Sequence, residues 1–153
     1  MQTWLLYVLG AVLCWGAYGP ALHAGQSAFP DRQTAPLRSL LCVGVAYFLV
    51  AVLVPFFALW SKDQLPGFNS RGAVFSTVGG TLGALGAIGI IWAIRSGGLP
   101  VYIMPLVFGG APIVNAIVSM AWHPPHSRPH PLFFLGFICA AAGAWLVLRY
   151  KPA

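Results

Sequence analysis

The sequence predicts an all-α polytopic membrane protein with five transmembrane helices and short loops, and three features carry that reading. Of its 153 residues, 59% are hydrophobic and only 7% charged, where a soluble domain carries about 25% charge. The apolar residues fall into five long runs, each near the roughly 17–25 residues that carry a helix across about 30 Å of hydrocarbon. The segments between them hold Pro, Gly and charge but lack the length of a water-soluble module, so residues 1–153 form a single membrane domain.

The first run, residues 3–22, could also be a cleaved signal peptide. No Lys or Arg precedes its apolar core and it is long for that role, so a retained span is expected. The residues before Cys14 are Val-Leu, not the small pair of a lipid-attachment site. The stretch CWGAYGPALHAGQ ends this span. Trp15 and Tyr18 share a helix face, and Pro20 removes a backbone hydrogen bond near the helix exit. The aromatic pair fits either an interfacial belt or the wall of a substrate path.

The second span is expected over residues 39–60 and the third over 73–94. The third is the richest in small residues, and Gly79, Gly83 and Gly86 are expected to let another helix approach closely. Ser76, Thr77 and Thr81 can bond back to their own backbone carbonyls, so packing suffices to explain them. Ser96-Gly97-Gly98 permits a tight reversal into the fourth span, residues 99–122. There Pro105 and Pro112 interrupt the ladder and Gly109-Gly110 weakens it, so a deformable helix is expected. Pro105, Phe108, Pro112, Asn115 and Ser119 form one stripe. Asn115 is its only amide and needs a partner, which can be another helix, a carbonyl freed by proline, or a transported molecule. The fifth span is residues 132–148.

Five spans put Lys62, Arg71 and Arg128 on one side and Arg32, Arg38, Arg95, Arg149 and Lys151 on the other. The bias places the C-terminus in the cytoplasm, yet is small enough to permit both insertions. A net charge of +6 scattered over helix ends suits lipid headgroups and excludes nucleic acid as a partner. Asp31 and Asp63 are the only acids and both lie in loops, which argues against proton-driven export through a membrane carboxylate. Cys14, Cys42 and Cys139 sit in separate spans as packing residues. The loop HPPHSRPHP brings His123, His126 and His130 near one another without Cys or carboxylate, so no metal site is expected. No nucleophile, base and orienter set appears, so neither an enzyme nor a cofactor is expected.

Residues 83 to 148, GALGAIGIIWAIRSGGLPVYIMPLVFGGAPIVNAIVSM and PLFFLGFICAAAGAWLVLR, resemble the later half of an EamA-type repeat of the drug/metabolite transporter superfamily. The opening WGAYGP resembles the first helix of such a repeat. Family members usually carry two five-helix repeats related by inversion, whereas this chain carries one. Trp122-His123-Pro124 stands where an acidic residue often follows the fourth helix. The resemblance implies a half-size permease in the bacterial inner membrane, moving a small metabolite or drug-like solute. It would work as an antiparallel homodimer or with a related partner, because alternating access uses two inverted halves. Trp15, Tyr18, Tyr47, Trp92, Tyr102 and Asn115 are the candidate substrate-path residues, chosen as aromatic or amide groups within spans. A non-transporting subunit, packed into a larger complex through the glycine face of the third span, is the alternative.

Overall fold

A computed structural model describes residues 2–67 and 69–151, and all regular structure among them is helical. Helix α1 runs Thr3–Ala28, α2 Ala35–Tyr47, α3 Val54–Trp60, α4 Ser70–Arg95, α5 Pro100–Trp122 and α6 Pro131–Arg149. A π-helical segment, Phe48–Leu53, joins α2 to α3, so Ala35–Trp60 is one continuous stretch. Five helices are therefore long and apolar enough to cross a membrane.

Proline positions explain several boundaries. Pro36, Pro100 and Pro131 stand in the first turns of α2, α5 and α6, where a missing N–H costs nothing and φ is already helical. Pro55 does the opposite. Its ring crowds the carbonyl four residues back, that of Ala51, and it offers no donor; Ala51 lies inside the wide turns of the π segment, where the ladder relaxes around it. Two polar side chains start helices. Asn69 accepts a hydrogen bond from the Gly72 N–H at 2.7 Å, and the ring nitrogen Nδ1 of His130 accepts one from the Leu132 N–H at 3.2 Å. Gly97, with φ +92°, donates its N–H to the Ile94 carbonyl at 3.1 Å and ends α4 in the reversal expected of Ser96-Gly97-Gly98.

The chain divides into two compact units. One holds the residues up to Pro20 together with those from Gly98 onward, so it contains the first part of α1 with α5 and α6. Here α5 and α6 pack along two half-buried stripes. Leu106, Gly109, Ile113, Ala116 and Met120 form one, and Phe137, Ala140, Ala144 and Val147 the other. A Cβ on Gly109 would meet the Ala144 Cβ at 2.7 Å and the Ala140 carbonyl oxygen at 3.3 Å, so the helices close to a distance only glycine allows. Gly19 plays the same part in α1, where a Cβ would lie 2.6 Å from the Met104 side chain.

The other unit is Ala21–Gly97. Its core is Leu22 and Gln26 of α1, Ala35, Pro36 and Ser39 of α2, and Ala87, Ile90, Ile91 and Ile94 of α4. Ile91 and Pro36 are its fully buried side chains.

Three expectations are corrected. The first helix does not stop at residue 22: Pro20 lies inside it and it runs on to Ala28, because Pro20 removes one hydrogen bond while its neighbours keep theirs. The fourth span is not broken by Pro105, Gly109, Gly110 and Pro112; α5 is one continuous helix through both prolines, and Gly109 serves close packing instead. The third span's Gly79, Gly83 and Gly86 are not packed against another helix among the described residues. Added Cβ atoms at Gly79, Gly83 and Gly86 would meet nothing within 4 Å, and the buried part of α4 lies nearer its C-terminal end.

Candidate functional site

Extension of α1 past Leu22 decides where polar chemistry sits. His23, Gln26 and Ser27 are separated by three and four residues, so a helix places them on one face. In the Ala21–Gly97 unit that face borders a cavity of about 130 Å³, lined by His23, Gln26, Ser27, Arg32, Ala35, Ile94 and Arg95. Its walls are the last turns of α1, the turn that follows, the start of α2 and the last turn of α4.

Gln26 is buried and its Nε2 donates to the Ile91 carbonyl oxygen at 3.3 Å, tying α1 to α4. The Nδ1 of half-buried His23 is withdrawn from solvent and makes no hydrogen bond. The hydroxyl of Ser39, one turn into α2, is in the same state. Neither the Arg32 nor the Arg95 guanidinium makes a hydrogen bond or ion pair with another described residue.

Asp31 stands in the turn beside Arg32 but is not among the lining residues. Its carboxylate is engaged elsewhere. The Thr34 hydroxyl donates to one oxygen at 2.7 Å and the Gln33 N–H to the other at 2.9 Å. The Thr34 hydrogen bond, then that of Gln33, hold its carboxyl below the ordinary value, with the charge of Arg38 adding to them. Arg38 lies over the Phe29 ring at 6.0 Å. The cavity therefore carries two cations and no anion among the described residues that line it.

The expected substrate-path residues divide between the two units. Trp15, Tyr18, Tyr102 and Asn115 belong to one, Tyr47 and Trp92 to the other. Trp15 and Tyr18 do come together, ring centroids 5.7 Å apart, with Phe108 edge-on to Trp15 at 6.4 Å. Tyr102 is half-buried with the Lys151 ammonium 5.0 Å above its ring. Tyr47 is exposed and borders an apolar crevice with Leu40, Val43, Gly80 and Ala84; Trp92 is 37% exposed.

Asn115 lies on the exposed face of α5, as do Pro105, Phe108, Pro112 and Ser119 of the same stripe. The stripe that packs on α6 is the one through Gly109 and Ala116, so the helix turns its only amide away from its partner. Among the described residues, His123, His126 and His130 do not gather into a metal-holding cluster; His130 caps α6.

His23, Gln26, Ser27, Arg32 and Arg95 were not singled out as a site from the sequence. The available signal was the spacing 23, 26, 27, visible only if the helix is carried through Pro20. No family model matches the chain, and no curated protein and no solved structure is significantly similar to it.

Proposed function

We propose that the chain is an integral membrane permease half, which moves a small polar solute when two copies combine. The observation that carries this reading is a polar cavity, walled in part by a buried glutamine and bordered by two arginines that pair with no other described residue, in an otherwise apolar helical chain. Gln26 is the polar side chain of this site buried among apolar ones, where such a group is costly, and on this reading the cavity it borders at the helix ends is the mouth of a solute path.

The membrane supplies the rest of the argument. Of the most apolar 18 residues of each helix, at most 17% are buried within the chain, so most of the apolar surface is left to lipid or to another copy. The resemblance to a single EamA-type repeat supports the same reading: one repeat needs an inverted second to alternate access. The open glycine face at Gly79, Gly83 and Gly86 suits such a neighbour, because it admits a backbone where lipid chains gain little. In the other unit Trp15, Tyr18 and Phe108 form an aromatic cluster of their own.

Uptake tests the reading. Proteoliposomes containing the chain, screened against a metabolite mixture, accumulate at least one solute above empty vesicles, and Gln26→Leu abolishes that accumulation while the protein still inserts. Accumulation equal to empty vesicles for every solute, with a stable homodimer present, removes transport and leaves a structural subunit. A Gly83→Cys variant on a background lacking Cys14, Cys42 and Cys139 cross-links to a second copy in the bilayer; monomer alone after oxidation shows that this face meets lipid.

A further inference from the structure

From the lining of the cavity bordered by His23, Gln26, Ser27, Arg32 and Arg95, we infer that it is a binding site for a phosphate group, carried on a small soluble molecule or on a phospholipid headgroup.

Charge is the first reason. The chain has two acids; Asp31 is held by Thr34 and Gln33, and neither acid lines the cavity. Two guanidinium groups bordering one small space with no carboxylate of the chain to share are complementary to an anion from outside. Arginine is the side chain whose planar fork matches the oxygens of a phosphate, each contact a charge-assisted hydrogen bond.

The uncharged groups add direction. Ser27 offers a hydroxyl donor on the same helix face as His23. The Nδ1 of His23 is shut off from solvent and bonds to no described residue, although buried polar atoms are nearly always satisfied. In the protonated or Nδ1–H form it becomes a third donor for the same oxygens. Gln26 is buried and committed to the Ile91 carbonyl; it fixes the wall against which the ligand sits. A volume of about 130 Å³ admits a phosphate group, and the exposed Ser27, Arg32 and Arg95 at its border leave it open to the rest of the molecule that carries the group.

Position gives the two sources of the group. The lining residues come from the ends of α1 and α4 and the beginning of α2, where the apolar runs stop, and in a bilayer helix ends lie at the depth of the headgroups. This depth is the one point at which the inference rests on the membrane reading. Binding is measured on the purified chain, so failure of transport leaves it standing, and failure to bind leaves transport of a neutral solute possible.

The test uses the full chain in a phosphate-free maltoside detergent. Inorganic phosphate raises the thermal midpoint saturably. Arg32→Gln and Arg95→Gln each weaken the half-saturating concentration roughly tenfold, the loss of one charge-assisted contact, and the double variant abolishes the shift. Mixed micelles containing phosphatidylglycerol are titrated in parallel. A shift with both probes, or with phosphate alone, assigns a soluble phosphomonoester; a shift with phosphatidylglycerol alone assigns a headgroup. No shift with either probe, or an undiminished shift in the double variant, overturns the site. Because the double variant could fail to fold, the unmodified protein is also treated with phenylglyoxal: phosphate or the lipid protects Arg32 and Arg95 selectively, whereas equal labelling of all arginines with and without both probes overturns the proposal.

Discussion

At the scale of single residues, Gln26 and Asp31 show how few polar groups fix the turn region between α1 and α2. The Gln26 amide is buried and bonded across helices at 3.3 Å. Gln26→Leu keeps the volume and removes the bond, and the Ile91 carbonyl retains its own helix ladder, so the loss is about 1 kcal/mol. A lower thermal midpoint in detergent, with helix content unchanged, is the expected readout; an unchanged midpoint would show that the amide contributes no net stability. Asp31 gives a pH dependence. Its folded-state carboxyl titrates below the ordinary value of 3.8 because Thr34 and Gln33 donate to the charged form. A depressed value means that the stabilisation is complete above about pH 3.8 and fades as pH falls through the lower folded value. The Gln33 amide, followed by hydrogen exchange, therefore stays protected down to that range and loses protection below it. Loss of protection already at neutral pH would show that the Asp31 turn does not form. These residues were hard to see in the sequence for a physical reason. Proline at position 20 reads as a helix exit, and only the finding that the helix continues turns His23, Gln26 and Ser27 from loop residues into a face.

At the scale of elements, the lengths of the helices were legible and their contacts were not. Five apolar runs correspond to five helices, with ends displaced by up to six residues, as at Ala28 against the expected Leu22. Hydrophobicity reports how long an apolar element is, but in a chain where every face is apolar it does not say which face meets another helix. The glycines of α4 looked like the packing surface by number. In the structure Gly19 and Gly109 make the close approaches, one glycine each, while Gly79, Gly83 and Gly86 stand open. The same ambiguity left the partner of Asn115 open, since its stripe and the Gly109 stripe occupy one helix. Gly109→Ala and Gly110→Ala test the assignment as a pair, since both make the same backbone change. The new methyl at 109 meets Ala144 at 2.7 Å and costs about 1–3 kcal/mol by overpacking. The one at 110 meets nothing within 4 Å and leaves stability unchanged or higher, alanine being the better helix former. Equal midpoints for the two variants would show that α5 and α6 are not held together at Gly109.

At the scale of the whole molecule, the proposed permease reading makes charge placement the factor that sets how the five helices would insert. If all five helices of spanning length cross, the two termini lie on opposite sides, and the basic residues near the helix ends divide three to five, Lys62, Arg71 and Arg128 against Arg32, Arg38, Arg95, Arg149 and Lys151. Each cation resists translocation, so on the proposed permease reading a difference of this size is expected to favour a cytoplasmic C-terminus without enforcing it. If two copies must insert in opposite senses to build one path, that near balance is what lets a single sequence supply both halves. Reporter fusions that are active only in the cytoplasm or only outside it, placed at each terminus, should show the ends on opposite sides and both orientations in the population. The Arg149→Gln/Lys151→Gln variant removes two cations from the heavier side and equalises the count, so the fraction with an external C-terminus should rise. Adding Lys residues after Ala153 should drive that fraction toward zero and, by removing inverted copies, abolish uptake without affecting expression. Both ends on one side in all molecules would mean that one of the five helices does not cross. A C-terminus wholly cytoplasmic in the unaltered chain, with uptake intact, would show that the second half of the path comes from a different protein.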